Sequence, residues 1–229
     1  IVTAQAAAAA YEERFEIAQQ LRNELPESQK ADWDKNVLDP THYYKADWAQ
    51  TIALCEAQKA QAIALAAGDK AQKLAPSDAD FEPSWAEAIV TAKAAAAAYE
   101  RHFEIAQQLR GELPESKKAD WDKNTIHPAL TRSETARAET IALTTHYDLQ
   151  KIASDDPGFL MVQSEASAAA AQASEGWERV LAYREEFRNK APEGERAHWD
   201  RSVEEATTKQ TYWRQQQVKE VGAVLKNSN

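Results

Sequence analysis

One segment of this sequence carries a carboxylate and a histidine at the spacing used by metal-binding helix bundles. Glu195 and His198 form a Glu-x-x-His motif. A di-iron bundle needs two such motifs and two further glutamates that face inward. Two related segments, described below, carry Asp32 and Asp120 at the position of His198. The sequence therefore predicts a surface pair at this motif and no metal site.

Nucleophilic catalysis has one candidate thiol, because Cys55 is the only cysteine. A catalytic thiol needs a base within reach and a lowered pKa. Cys55 instead falls on the apolar stripe of a predicted helix, and a related segment carries Thr144 at the same position. The histidines are scattered, and the six glycines are isolated and form no phosphate-binding loop. We therefore expect that the protein is not an enzyme and has no cofactor.

Tryptophan is the third residue type with a candidate role, since the chain contains seven. Exposed tryptophans anchor binding partners or stack on sugar rings. Buried tryptophans add bulk to a core, and much of the apolar content of this chain is alanine, which buries little area per residue. We favour the core role for Trp33, Trp121 and Trp199, and we expect each to hold a helical hairpin together near its turn.

The charge pattern bears on the kind of partner. The formal net charge is −10, and Lys and Arg alternate with Glu and Asp along the chain. Because nucleic-acid binding requires a basic footprint, we expect no nucleic-acid partner. No apolar run reaches the length of about 18 residues that a transmembrane helix needs. The chain starts at Ile1 and not at methionine, which indicates a processed product and favours an extracytoplasmic location, although the compartment is not determined.

An internal repeat dominates the organisation of the chain. Residues 1–36 and 89–124 are identical at 31 of 36 positions. A third, divergent copy aligns Trp199 with Trp121 and Asp200 with Asp122, at an offset of 78. Self-similarity of this kind is typical of repeat proteins, in which each unit buries its apolar face against its neighbours. Proline-containing breaks divide the chain into three predicted repeats, which span residues 1–77, 78–154 and 155–229.

Each repeat reads as two helices joined by a proline turn. Apolar residues recur at helical spacing, and glycine (6) and proline (8) are scarce, which argues against a β-sandwich or barrel. A Pro-Glu pair marks the start of each second helix, with Pro26, Pro114 and Pro192 predicted at the first helical position. The fold class is therefore all-α, with tandem antiparallel αα-hairpins and about six long helices. The hairpins are expected to stack as a short array or to close into a bundle.

A second set of prolines falls inside the second helices. Pro40 and Pro128 lie seven residues after Trp33 and Trp121, and we expect each to kink or break its helix. The third repeat has Ala206 at this place, so its second helix should run without a break from about residue 192 to about residue 225.

A repeated polar surface is the candidate binding site. Polar positions that face away from the predicted core are conserved between the first two copies, although packing does not require their identity. Recent duplication is the explanation that we favour, and the alternative is that both surfaces contact the same partner, which would make the molecule bivalent. The candidate residues are Glu12, Glu16, Gln20 and Arg22 in the first copy and Glu100, Glu104, Gln108 and Arg110 in the second.

These features favour a non-catalytic, alanine-rich helical repeat protein that acts as a structural spacer, a scaffold or an adhesion-type protein-binding module. The expected partner is another protein or a second copy of the chain. One alternative is a receptor-binding or membrane-active helical segment of a secreted toxin or effector. Another is a helical bundle that binds a metal or a small molecule.

Overall fold

The protein is all-α, as predicted. The structure, a computed structural model, describes the backbone of residues 2–227 and their side chains except at residues 2–5, 7, 8, 42 and 219–227. Within that range there is no β-strand. The helices are α1 Val2–Glu24, α2 Glu27–Trp33, α3 Asp39–Ala71, α4 Phe81–Glu112, α5 Glu115–Trp121, α6 His127–Lys151, α7 Phe159–Lys190 and α8 Glu193–Asn227, with π-helical turns at Asp34–Leu38 and Asp122–Ile126.

These elements form six long helices, because each π-helical turn joins the helices on its two sides. The continuous helices span residues 2–24, 27–71, 81–112, 115–151, 159–190 and 193–227. They fall in pairs, which we call hairpins 1, 2 and 3. The boundaries predicted at 77/78 and 154/155 lie in the two long connections between hairpins.

The turn inside each hairpin is built around a proline. Each second helix begins one residue later than predicted, so the proline precedes the first helical residue. Pro26 has φ −58° and ψ 146°, so it is the N-cap of α2, and Glu27 is the first helical residue. Pro114 is the N-cap of α5 in the same way. The extended ψ turns the proline carbonyl toward the new helix, where the Pro26 oxygen accepts a hydrogen bond from the Gln29 amide at 2.9 Å. Proline suits this place because it needs no amide partner at a helix start.

The second set of prolines produces π-helical turns, and neither proline breaks its helix. In hairpin 1 the turn ends just before Asp39 and Pro40, and the Asp39 amide donates to the carbonyl of Asp34, five residues back. The turn before Pro128 in hairpin 2 has the same bond pattern. A widened turn accommodates a proline ring that would clash with a regular α-helical turn. Hairpin 3 has Ala206 instead, and α8 is an uninterrupted α-helix, as predicted.

The chain forms two compact units, and the division between them passes through hairpin 2 as well as through α3. The first unit comprises Ile1–Lys59 and Ala98–Ala129. One apolar cluster in this unit contains Ala46, Leu113 and Trp121, with partly buried side chains packed around them. This cluster joins the second helix of hairpin 1 to both helices of hairpin 2.

The second unit comprises Ala60–Ala97 and Leu130–Asn229. Its core combines many alanines with a few large aromatic side chains, of which Trp85, Trp177 and Trp213 are between 0% and 4% exposed. Alanine lets helices approach closely but fills little volume. Each tryptophan therefore buries much more area than each alanine does. Trp85, Trp177 and Trp213 therefore have a core role in this unit.

Candidate functional site

Hairpins 1 and 2 hold their turns together by the same tryptophan contact. The Trp33 indole Nε1 donates to the carbonyl oxygen of Ala18 at 3.1 Å, and Trp121 Nε1 donates to that of Ala106 at 3.0 Å. In both hairpins the bond connects the second helix to the first. Trp199 of hairpin 3 packs differently, with its ring centroid 5.3 Å from that of Phe187. The near-identical copies thus share an internal contact that the divergent copy replaces by aromatic packing.

An arginine–aspartate pair adds a second link across the turn. Arg22 Nη2 lies 2.7 Å from Asp34 Oδ2, with a further bond from its Nε, and Arg110 binds Asp122 in the same bidentate way. The hydrogen bond from the arginine lowers the pKa of each of these aspartates. Hairpin 3 retains an arginine–aspartate pair at the equivalent place. Arg22 and Arg110, which we predicted as binding residues, therefore interact with their own hairpins.

The other residues of the predicted polar surface lie largely in solvent. Glu16 and Gln20 are exposed in hairpin 1, and so are Glu104 and Gln108 in hairpin 2, whereas Glu100 is partly buried. Glu12 forms an ion pair with Lys45 Nζ at 2.5 Å. The exposed members remain accessible to a partner, but in the described part of the chain none of them lines an apolar pocket.

A stronger candidate appears where hairpin 2 packs on α3. We call Leu109, Leu113 and Trp121 the hairpin-2 face. Leu113 and Trp121 are only 4% and 1% exposed because Tyr43 and Ala46 of α3 cover them. The Tyr43 and Trp121 rings meet edge to face, with their centroids 5.9 Å apart and an interplanar angle of 81°. The face is thus an apolar surface that receives one side of a helix.

Hairpin 1 carries the same residues in a more exposed setting. Leu21, Leu25 and Trp33 are the counterparts of the hairpin-2 face at an offset of 88, and we call them the hairpin-1 face. Leu21 is 44% exposed, and Leu25 and Trp33 are partly exposed. The neighbouring Ile17 is 49% exposed. An apolar surface that is covered in one copy and open in the other is the candidate functional site of the described structure.

Two polar contacts border the covered face. His102 Nε2 lies 2.8 Å from Gln50 Oε1, and Lys117 Nζ lies 5.7 Å from the centroid of the Tyr43 ring, within cation–π range. His102 and Lys117 are two of the five positions at which the first two copies differ. Hairpin 1 has Arg14 in the place of His102 and Gln29 in the place of Lys117. The edge of the hairpin-1 face therefore has a different hydrogen-bonding character from the edge of the hairpin-2 face.

The second unit contains a buried carboxylate that the sequence did not reveal. Glu139 is 8% exposed, and its Oε1 accepts hydrogen bonds from Trp177 Nε1 at 2.8 Å and from Trp213 Nε1 at 2.9 Å. Burial raises the pKa of Glu139, while the two indole donors, Lys209 and Gln61 act in the opposite direction. A glutamate on a repeat helix gives no sequence signal of such a role, because its donors lie 38 and 74 residues away.

A small cavity of about 60 Å³ adjoins Glu139 and is lined also by Asp69, Thr140, Lys209 and Tyr212. At about 15 Å³ per water it has room for about four water molecules. The carboxylate joins α6 to α7 and α8 through its indole donors, which is a packing role. The space is better suited to ordered water than to a metabolite.

Other kinds of site find little support in the described residues. No group of three or more His, Cys, Asp or Glu side chains in this range is arranged to hold a metal ion. No helix within residues 2–227 combines the length and hydropathy that a membrane span requires. No known protein family, curated protein sequence or solved structure matches the chain at a significant level.

Proposed function

We propose that the chain is a non-catalytic helical repeat protein that binds another protein through the hairpin-1 face. One observation carries this proposal. Leu21, Leu25 and Trp33 match residues that a helix covers in hairpin 2, yet in hairpin 1 Leu21 is exposed and the other two are partly exposed. A side chain of this type contributes about 1.5–3 kcal/mol when it is fully buried. Covering the face would therefore supply a substantial driving force for association.

The same architecture supports a scaffold role. The long helices present surfaces at fixed positions, and the tryptophan and arginine contacts across each turn limit the motion of the two helices of a hairpin. A rigid surface loses little conformational entropy on binding, which favours affinity. The repeated polar residues that are exposed, such as Gln20, would lie beside the apolar face and would form the rim of the interface.

Site-specific photo-crosslinking tests the proposal. Leu21 is replaced by p-benzoylphenylalanine in the full-length protein, and Gln20, the exposed neighbour on the same helix, carries the same replacement as the matched control. After irradiation in an extract of the cells that produce the protein, we expect discrete protein adducts from position 21. Crosslinks from position 20 alone would place the partner on the polar surface. Absence of protein adducts from both positions would contradict a protein-binding function for this end of the molecule.

A further inference from the structure

We infer that the partner of the hairpin-1 face is an α-helix of the same repeat type, with an aromatic residue, a small residue and an acidic residue in the places of Tyr43, Ala46 and Gln50. This inference rests on the proposed binding function and names its partner. It follows from the interface inside the first unit, where α3 covers the hairpin-2 face. A surface with the same apolar residues accepts the same kind of helix.

The geometry of α3 defines the side of the helix that docks. Tyr43, Ala46 and Gln50 are spaced by three and four residues, so they lie on one side of α3. Each contacts hairpin 2 in a distinct way. Tyr43 packs edge-on to Trp121, Ala46 is fully buried in the cluster, and Gln50 pairs with His102. The small residue permits close approach of the helices, while the other two determine the register.

The differences between the copies identify the acidic residue. Arg14 takes the place of His102, and it is exposed. A guanidinium donates hydrogen bonds and accepts none, so a carboxylate is a better partner for it than an amide. The repeat itself provides a precedent at this position. When the Thr-Ile-Ala-Leu segments at 51–54 and 140–143 are aligned, Gln50 corresponds to Glu139, which binds Trp177 of hairpin 3.

A second copy of the chain fits this description less well. Its own Tyr43, Ala46 and Gln50 are already engaged with hairpin 2 of the same chain. Among the described side chains of α8, the last helix, Val218 is the one large apolar side chain that is exposed. The rest of its exposed surface is polar, as at Thr207, Thr208, Thr211 and Arg214, and is a poor complement to an apolar face. The partner is therefore a helix of another protein that has the docking pattern of α3.

A synthetic helix with the sequence of residues 39–58 tests the assignment against the full-length protein. Trp48→Lys and Ile52→Asp, on the side opposite Tyr43, are joined as a lactam to keep the peptide helical, and Cys55→Ser prevents oxidation. Binding of the labelled peptide is followed by fluorescence anisotropy, and its helicity is checked by circular dichroism. We expect saturable binding, and a Gln50→Glu version should bind about two- to fivefold more tightly because it pairs with Arg14.

Protein variants identify the surface that is occupied. Leu21→Arg should weaken peptide binding by about tenfold or more, whereas Gln20→Arg, the exposed control, should leave it nearly unchanged. Equal binding to both variants would mean that the peptide displaces α3 from hairpin 2, and it would overturn the assignment. Failure of a helical peptide to bind, or self-association of the chain that Leu21→Arg abolishes, would overturn it as well. If any of these results is obtained while residue 21 still crosslinks to a protein, the proposed binding function stands and only the inferred nature of the partner is wrong.

Discussion

The two equivalent tryptophans offer a direct measure of the contact between hairpins 1 and 2. Trp33 and Trp121 donate the same hydrogen bond, at 3.1 and 3.0 Å, and differ in what covers their rings. Trp121 is 1% exposed beneath Tyr43, so Trp121→Ala removes a fully buried indole. We expect the free energy of unfolding to fall by about 3–5 kcal/mol. Trp33 is partly exposed, and Trp33→Ala should cost only about 1–3 kcal/mol.

A paired substitution separates the hydrogen bond from the packing. Trp→Phe at either position removes the indole donor but keeps an aromatic ring. Because the bond is the same in both hairpins, its loss should lower the free energy of unfolding by a similar amount at both positions, about 1 kcal/mol. The difference between the two alanine variants, about 2 kcal/mol, then reports the cover supplied by Tyr43 and Ala46.

Urea denaturation followed by far-ultraviolet circular dichroism measures these differences, and thermal unfolding provides a check at about 2–4 °C per kcal/mol for a chain of this size. If the two compact units unfold in separate transitions, both substitutions should shift the same transition, because both tryptophans lie in the first unit. Equal destabilisation by Trp33→Ala and Trp121→Ala would refute the reasoning. It would mean that hairpin 1 does not cover hairpin 2, and the inferred binding face would lose its basis.

Two further predictions concern the buried Glu139 and two helical glycines, Gly176 and Gly111. Burial raises the pKa of Glu139 above its usual value of 4.5, so the folded state retains this proton to higher pH than the unfolded chain. The stability that protonation of Glu139 contributes is fully present below pH 4.5, and it is lost as the pH rises through the pKa of the folded state. Glu139→Gln should therefore gain stability relative to the wild type as the pH rises above 4.5, and a difference that stays constant in urea titrations as the pH is raised would contradict the assignment. Gly176→Ala should destabilise the protein by about 1–3 kcal/mol, because the new Cβ would lie 2.7 Å from Thr135 Oγ1. Gly111→Ala meets no atom within 4 Å and should raise stability by up to about 1 kcal/mol, so equal thermal midpoints for these two glycine variants would show that the contact with Thr135 is wrong.

The sequence predicted the helices and their pairing because those properties are encoded locally. Apolar residues at helical spacing, a Pro-Glu pair at each turn and near-identity between residues 1–36 and 89–124 all act within one hairpin. The uninterrupted α8 followed from the absence of a proline at Ala206. At Pro40 and Pro128 local rules predicted a kink or a break, and the helix is not broken there but continues through a π-helical turn. Choosing between a broken helix and a widened turn depends on how the rest of the helix packs.

Tertiary structure alone decided which apolar surface is exposed to a binding partner. Leu21 and Leu109 have the same local sequence, yet only Leu109 contacts the cluster that α3 covers, since burial depends on which helix lies opposite. Arg22 resembled a binding residue until its partner, Asp34, was located twelve residues along the chain. Glu139 acquires its role from two indoles that are distant in sequence. Periodicity along one helix determines which side of it is apolar, but packing between helices determines whether that side is filled or remains open to a partner.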